Sequence, residues 1–174
     1  MSDAVAKRDD AALLALVDEH VRVSFGEGGG HDAFRQAWKL PAADSPLWAE
    51  LEQILALGGS FTEEGPRTFW APYVYAKWPK NIDAFEHVAA IRNDAALFRT
   101  PDAASPRVAA APWAILRVVR EPDEVPSGAW RRVRTLDGAE GWVRAAEVRS
   151  PIGYRAGFSK RSGEWKLEAL VAGD

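Results

Sequence analysis

The sequence predicts an α+β protein, with helices in front, a small β-barrel in the middle and a C-terminal β-hairpin that completes a helical or α+β domain. Three observations predict it. Apolar residues recur at helical spacing up to about residue 56; short β runs broken by turn residues fill 90–150; and Tyr154 to Ala172 alternates around a single turn. With 174 residues, 47% hydrophobic, 27% charged and a formal charge of -3, the chain has the composition of a globular protein. That composition excludes a disordered tail, a collagen-like fibre and a strongly basic nucleic-acid binder. Cysteine is absent, which excludes disulfides, thiolate metal sites and cysteine nucleophiles. The eight tryptophans are the strongest compositional clue.

The elements follow in order. Leu13, Leu16, Val17 and His20 share one helical face, which predicts a helix from Ala4 to His20, with His20 partly buried and hydrogen-bonded. Val21 to Phe25 alternates and reads as a short strand. Gly26-Glu27-Gly28-Gly29-Gly30 follows without the lysine and Ser/Thr of a phosphate loop, so a flexible turn is expected. His31 to Trp38 reads as a second helix with Phe34 and Trp38 on one side. The third helix has Ser45 as N-cap, Pro46 in its first turn and Gly58 at its end, around the stripe Leu47, Trp48, Leu51, Ile54 and Leu55.

From Phe69 to Pro79 the aromatics Trp70, Tyr73, Tyr75 and Trp78 are interrupted by Pro72 and Pro79, which favours an extended, edge-like segment. Tyr73, Tyr75 and Trp78 either stack against a ligand or seal a junction between modules. Then come the β runs: Ala90-Ile91, Ala95 to Arg99, Ala114 to Val119 (bounded by Pro112 and by Glu121-Pro122), Trp130 to Thr135 and Gly141 to Arg144. Asp137-Gly138 between the last two is a hairpin signal. Five short strands in about sixty residues predict a small barrel. Trp113, beside Pro112 at the start of a strand, is expected in the core or at its rim. In the final hairpin, Trp165, Leu167, Ala169 and Val171 are expected on a buried face, with Glu164, Lys166 and Glu168 opposite.

Charge changes along the chain. Residues 1–90 hold eight basic and fourteen acidic side chains; residues 91–150 hold ten arginines, no lysine and eight acidic groups. This shift predicts a module boundary near residue 90, and the arginines read as solvated strand faces. Met1 to Asp10 has no apolar h-region, and no run approaches the ~18 apolar residues of a membrane-spanning helix.

Residues 90–150 resemble a bacterial SH3-like domain. The residues that carry the likeness are Ala95 to Pro101, the Val108-Ala109 step, Ile115-Leu116-Arg117-Val118, Trp130-Arg131-Arg132-Val133 and Gly138-Ala139-Glu140-Gly141-Trp142-Val143. Ala95, Phe98 and the long Glu121-to-Gly128 loop depart from the family pattern. The flanks, through Arg8 to Leu13 and the Gly163-x-Trp165 turn, are similar to the nuclear-transport-factor-like or cystatin-like cone fold. The resemblances imply a discontinuous α+β domain of residues 1–88 plus 151–174, with an SH3-like β-barrel domain of 89–150 inserted. They also imply non-catalytic recognition of a peptide, a cell-envelope component or a partner protein, with Trp130 and Trp142 at a shallow groove or as plugs between modules. Such a protein is expected to be periplasmic or extracellular after removal of a signal; a cytoplasmic place is the alternative.

Catalytic signals are sparse. His20, His31 and His87 are scattered, no metal-ligand spacing or nucleophile elbow is present, and no cofactor is expected. The acidic pairs Asp9-Asp10, Asp18-Glu19 and Glu63-Glu64 are adjacent in sequence and face apart or lie in loops. If the cone housed an enzyme, Asp18, His20 and Asp32 would be its nearest acid-base candidates. A scaffold without a small ligand is the third expectation.

Overall fold

The computed structural model describes residues 1–26, 28–62, 68–120 and 128–173. The Glu63-Glu64 pair, and the Glu121-to-Gly128 loop apart from Gly128, lie outside the described residues. In chain order the elements are α1 (Ser2–Lys7), α2 (Asp10–Leu14), β1 (Val17–Arg22), α3 (Gly30–Trp38), α4 (Leu47–Ala56), β2 (Ser60–Phe61), β3 (Phe69–Ala71) and α5 (Tyr73–Ala76). There follow β4 (His87–Ala90), β5 (Ala96–Phe98), β6 (Arg107–Ala110), β7 (Ile115–Val118), β8 (Trp130–Thr135) and β9 (Glu140–Arg144). A 3-10 turn at Ala145–Glu147 leads to β10 (Val148–Arg149), β11 (Arg155–Arg161) and β12 (Glu164–Val171). The protein is mixed α+β. Its chain divides into two compact units, Met1–Lys77 with Ile152–Asp174, and Trp78–Pro151.

In the first unit the expected Ala4-to-His20 helix is replaced by two short helices and a strand. Arg8 takes a left-handed φ of 51° and ends α1, and the Asp9 carboxylate caps α2 by accepting from the Ala12 N–H at 2.9 Å. β1 then pairs parallel with β12, so Val17 and Val21 are buried while the His20 side chain is 86% exposed. His20 is therefore not the partly buried residue that a helix would make it. A spacing of three and four over so short a run fits helix and strand alike, and the partner strand decides. The strand expected over Val21 to Phe25 ends at Arg22, and Phe25 is exposed.

α3 and α4 form where their apolar stripes place them, but the N-cap of α4 is Pro46 and not the expected Ser45. Phe34 and Trp38 of α3 are buried, as are Leu47, Trp48, Leu51 and Ile54 of α4. The Ser45 hydroxyl accepts from the Leu47 N–H and donates to the Trp38 carbonyl, linking the two helices. The Gly29-Gly30 segment is a tight crossing instead of a flexible turn: a Cβ at Gly29 would lie 2.6 Å from the Val21 carbonyl oxygen.

The five-stranded sheet runs β1-β12-β11-β3-β2, and β12 has its parallel neighbour on one side and β11 on the other. Leu13, Val21, Phe34, Leu51, Ile54, Leu167 and Leu170 form its apolar core. A register shift at Gly157/Phe158 corrects the simple alternation expected of the last strand. Leu167, Ala169, Leu170 and Val171 are all buried, whereas Trp165 is 41% exposed.

The second unit is a seven-stranded sheet of order β10-β4-β7-β8-β9-β5-β6, every pairing antiparallel. It is open, and the closed barrel expected from the sequence is not formed. The reason lies at its ends: β10 has two residues and β6 four with a register shift, too little strand for a closing ladder among the described residues. One face of the sheet is dry, with Val88, Ala90, Leu97, Leu116, Val133, Val143 and Val148 in a single cluster. Of the ten arginines in 91–150, Arg149 is buried, against the solvated reading; Arg132 is half-buried and the others are exposed.

Candidate functional site

The other face of β8 and β9 carries the chemistry. Alternation puts Val133 and Val143 into the core and sends Trp130, Arg132 and Arg134 of β8 outward, opposite Arg144, Trp142 and Glu140 of β9. Phe98 of β5 pairs with Trp142 and so joins the same face. Gly141 makes that approach possible, because a Cβ there would lie 2.8 Å from the Phe98 carbonyl oxygen and 3.1 Å from the Leu97 Cβ.

The rings and cations interleave. Phe98 and Trp130 meet edge to face with centroids 5.6 Å apart. The Arg144 guanidinium lies 5.8 Å from each of these two centroids, and that of Arg107 lies 5.9 Å from Phe98. Arg144 also pairs with Glu147 at 2.9 Å. Trp142 is half-buried between the Phe98 and Arg132 strands. The face thus offers the two half-buried indoles of Trp130 and Trp142 among the cations of Arg107, Arg132, Arg134 and Arg144, while the Phe98 ring is buried at 6% exposure.

Glu140 tempers that charge by accepting from Arg134 at 2.6 and 3.1 Å and pairing with Arg132 at 2.6 Å. The Arg134 hydrogen bonds hold its carboxyl below the ordinary value of 4.5, helped by the charges of both arginines. A depressed folded-state pKa stabilises the protein above that ordinary value, and the contribution is lost as pH falls through the folded pKa. Glu140→Gln is therefore expected to be less stable than the parent near neutrality, with the gap closing below pH 4.5. Denaturation midpoints across a pH series check this, and a gap independent of pH would refute it.

The five aromatic candidates divide between the two units. Trp130, Trp142 and Trp78 belong to the second unit and Tyr73 and Tyr75 to the first. The Trp78 indole N–H donates to the Ile82 carbonyl at 2.8 Å. Tyr73 and Tyr75 lie on the one-turn helix α5, not on the extended segment expected from Pro72 and Pro79. Proline starts a helix as readily as it interrupts a strand, and here Pro72 precedes one. Tyr73 is half-buried and burial pushes its phenol up; Tyr75 stacks with Trp70 at 5.4 Å.

Sequence reasoning missed Phe98 and Arg144 as partners of Trp130, and Arg107 as the cation over Phe98. A signal existed for Arg144 alone: aligning Trp130-Arg132-Arg134 against Glu140-Trp142-Arg144 across the Asp-Gly turn puts it on the face of Trp130. Trp113, expected in the core or at its rim, is 54% exposed and takes a left-handed φ of 55°.

Of the acid-base candidates, Asp18 accepts from the His20 backbone N–H at 2.9 Å, and Asp32 pairs with Arg35 at 3.4 Å. His20 borders a depression with Glu19 and Gly28 to Gly30, whereas Asp32 borders an open groove with Arg35, Gln36 and Lys39. Among the described residues no three His, Asp or Glu side chains converge on a metal position, and no helix is long and apolar enough to cross a membrane.

No family model, no curated protein and no solved structure matches the chain.

Proposed function

We propose that the chain is a non-enzymatic bacterial binding protein whose second unit, an SH3-like module by resemblance, recognises an extended peptide segment through the outer face of β8 and β9. The observation that carries this reading is the interleaving of Trp130, Trp142 and Phe98 with Arg107 and Arg144 on one sheet face. Trp and Arg are the residues in which binding energy concentrates: Trp covers much area with two rotatable bonds and an N–H at its edge, and Arg brings a planar guanidinium that stacks on rings and donates hydrogen bonds. The sheet core is filled from its other side, so this face is not required to close a fold. An envelope-derived peptide and a segment of a partner protein satisfy the same surface, and the resemblance favours a site outside the cytoplasm.

The test uses the full chain immobilised against soluble cell-wall peptide fragments in one arm and cell lysate in the other. Trp142→Ala is expected to weaken capture at least tenfold, the effect of losing about 1.4 kcal/mol at a binding hot spot, with an unchanged fold. Trp142→Ala combined with Trp130→Ala should abolish it. Binding that survives in a folded double variant would overturn the assignment.

A further inference from the structure

The first unit holds a separate cleft of about 290 Å3, lined by Ser60, Phe61, Thr62, Trp70, Tyr75 and Ala76. None of these side chains is charged. Its central ring is held by the sheet beneath it. Trp70 is the register partner of Gly157 on β11, and a Cβ at Gly157 would lie 2.8–3.0 Å from three atoms of the indole six-membered ring. The indole therefore lies over bare backbone, in a position that alanine would deny it.

Tyr75 forms the second wall, its ring inclined 63° to Trp70. Behind Tyr75 sits the Arg155 guanidinium, 4.4 Å from the ring centroid, with its other side over Phe25 at 5.2 Å. Arg155 is 4% exposed, donates to the Gly173 carbonyl at 2.7 Å and has no carboxylate partner among the described residues. This buried cation spends the electron-rich face of Tyr75 and repels a second positive charge. The polar groups at the rim are hydroxyls: Ser60 lies opposite Trp70 in the strand register, and Thr62 follows on the same segment.

We propose that this cleft binds a single neutral sugar ring, its C–H face on Trp70 and its hydroxyls toward Ser60 and Thr62. Among the described residues the walls are uncharged and give no ion pair to compensate the desolvation of a charged ligand. Walls inclined at 63° offer no parallel slot for a flat base, but they do fit a puckered ring with an apolar face and a polar edge. At the low end of the ~300–1,000 Å3 range of small-molecule sites, the cleft takes one ring and not a chain. The inference is independent of the peptide face on the second unit.

The test is a titration of the 15N-labelled full chain with glucose, galactose and N-acetylglucosamine, following the indole N–H resonance of Trp70, with uridine and adenosine as comparison ligands. At least one sugar is expected to shift that resonance saturably, with a Kd on the order of 1 mM. Gly157→Ala, which displaces the indole, and Tyr75→Leu, which removes the second wall, should each raise the Kd at least tenfold. Trp142→Ala should leave the titration unchanged. If Gly157→Ala does not fold, Tyr75→Leu decides. No saturable shift with any sugar, a shift with the nucleosides alone, or a titration unaffected in a folded Tyr75→Leu chain would each overturn the proposal.

Discussion

Deleting residues 152–174 is expected to unfold the first unit. Among the described residues β12 is the only strand that pairs with β1, and β11 is the strand that joins β3 and β2 to the rest of the sheet. The deletion removes Leu167 and Leu170, both fully buried, and Val171 at 2% exposure. Burial of such side chains contributes about 1.5–3 kcal/mol each, so these three alone supply roughly 5–9 kcal/mol against a typical domain stability of about 5–15 kcal/mol. The deletion also strips hydrogen-bond partners from strands whose other faces are already in the core. Amide spectra and limited proteolysis of a 1–151 chain should show loss of dispersion and rapid cutting within residues 1–77. A truncated chain that kept native-like shifts for Leu13, Phe34 and Leu51 would refute this.

Gly59→Ala is expected to be the most damaging single methyl addition in the sheet. The added Cβ would lie 2.0 Å from the Trp70 carbonyl oxygen, 2.8 Å from the Trp70 carbonyl carbon and 2.9 Å from the Phe69 Cζ. Two of these are backbone atoms, which cannot rotate away, so β2 must separate from β3. Overpacking costs about 1–3 kcal/mol where side chains can adjust, and more where they cannot; a loss of about 3 kcal/mol is expected here. Gly157→Ala should cost less, because the obstacle there is the far end of the Trp70 ring, which can swing. Denaturant midpoints of the two variants rank them. Equal losses, or a Gly59→Ala chain within about 0.5 kcal/mol of the parent, would contradict the geometry.

The legibility of the chain varied with the range of the interactions involved. α3 and α4 were readable because their apolar stripes and stops are local. β8 and the Asp-Gly turn after it were readable for the same reason. The Val17 to Arg22 segment was not, since its strand character comes from β12, about 150 residues away in sequence. Nor was Tyr73 to Ala76, where Pro72 and Pro79 suggested an extended segment and Pro72 began a helical turn instead.

The candidate surfaces divide the same way. Trp130 and Trp142 stood out by residue type, but their company of Phe98, Arg107 and Arg144 depends on strand register. Trp70 gained its role only through Gly157, far along the chain, which leaves room for the ring.

By itself the sequence determined composition class, a mixed α+β character, two well-marked helices and the hairpins, because these rest on propensities and periodicities spanning a few residues. The tertiary structure alone decided that the β-rich middle forms an open sheet, that β1 is a strand and which rings and cations meet. Those outcomes depend on partner strands and close backbone approaches, which are set by packing between distant segments and leave no local pattern to read.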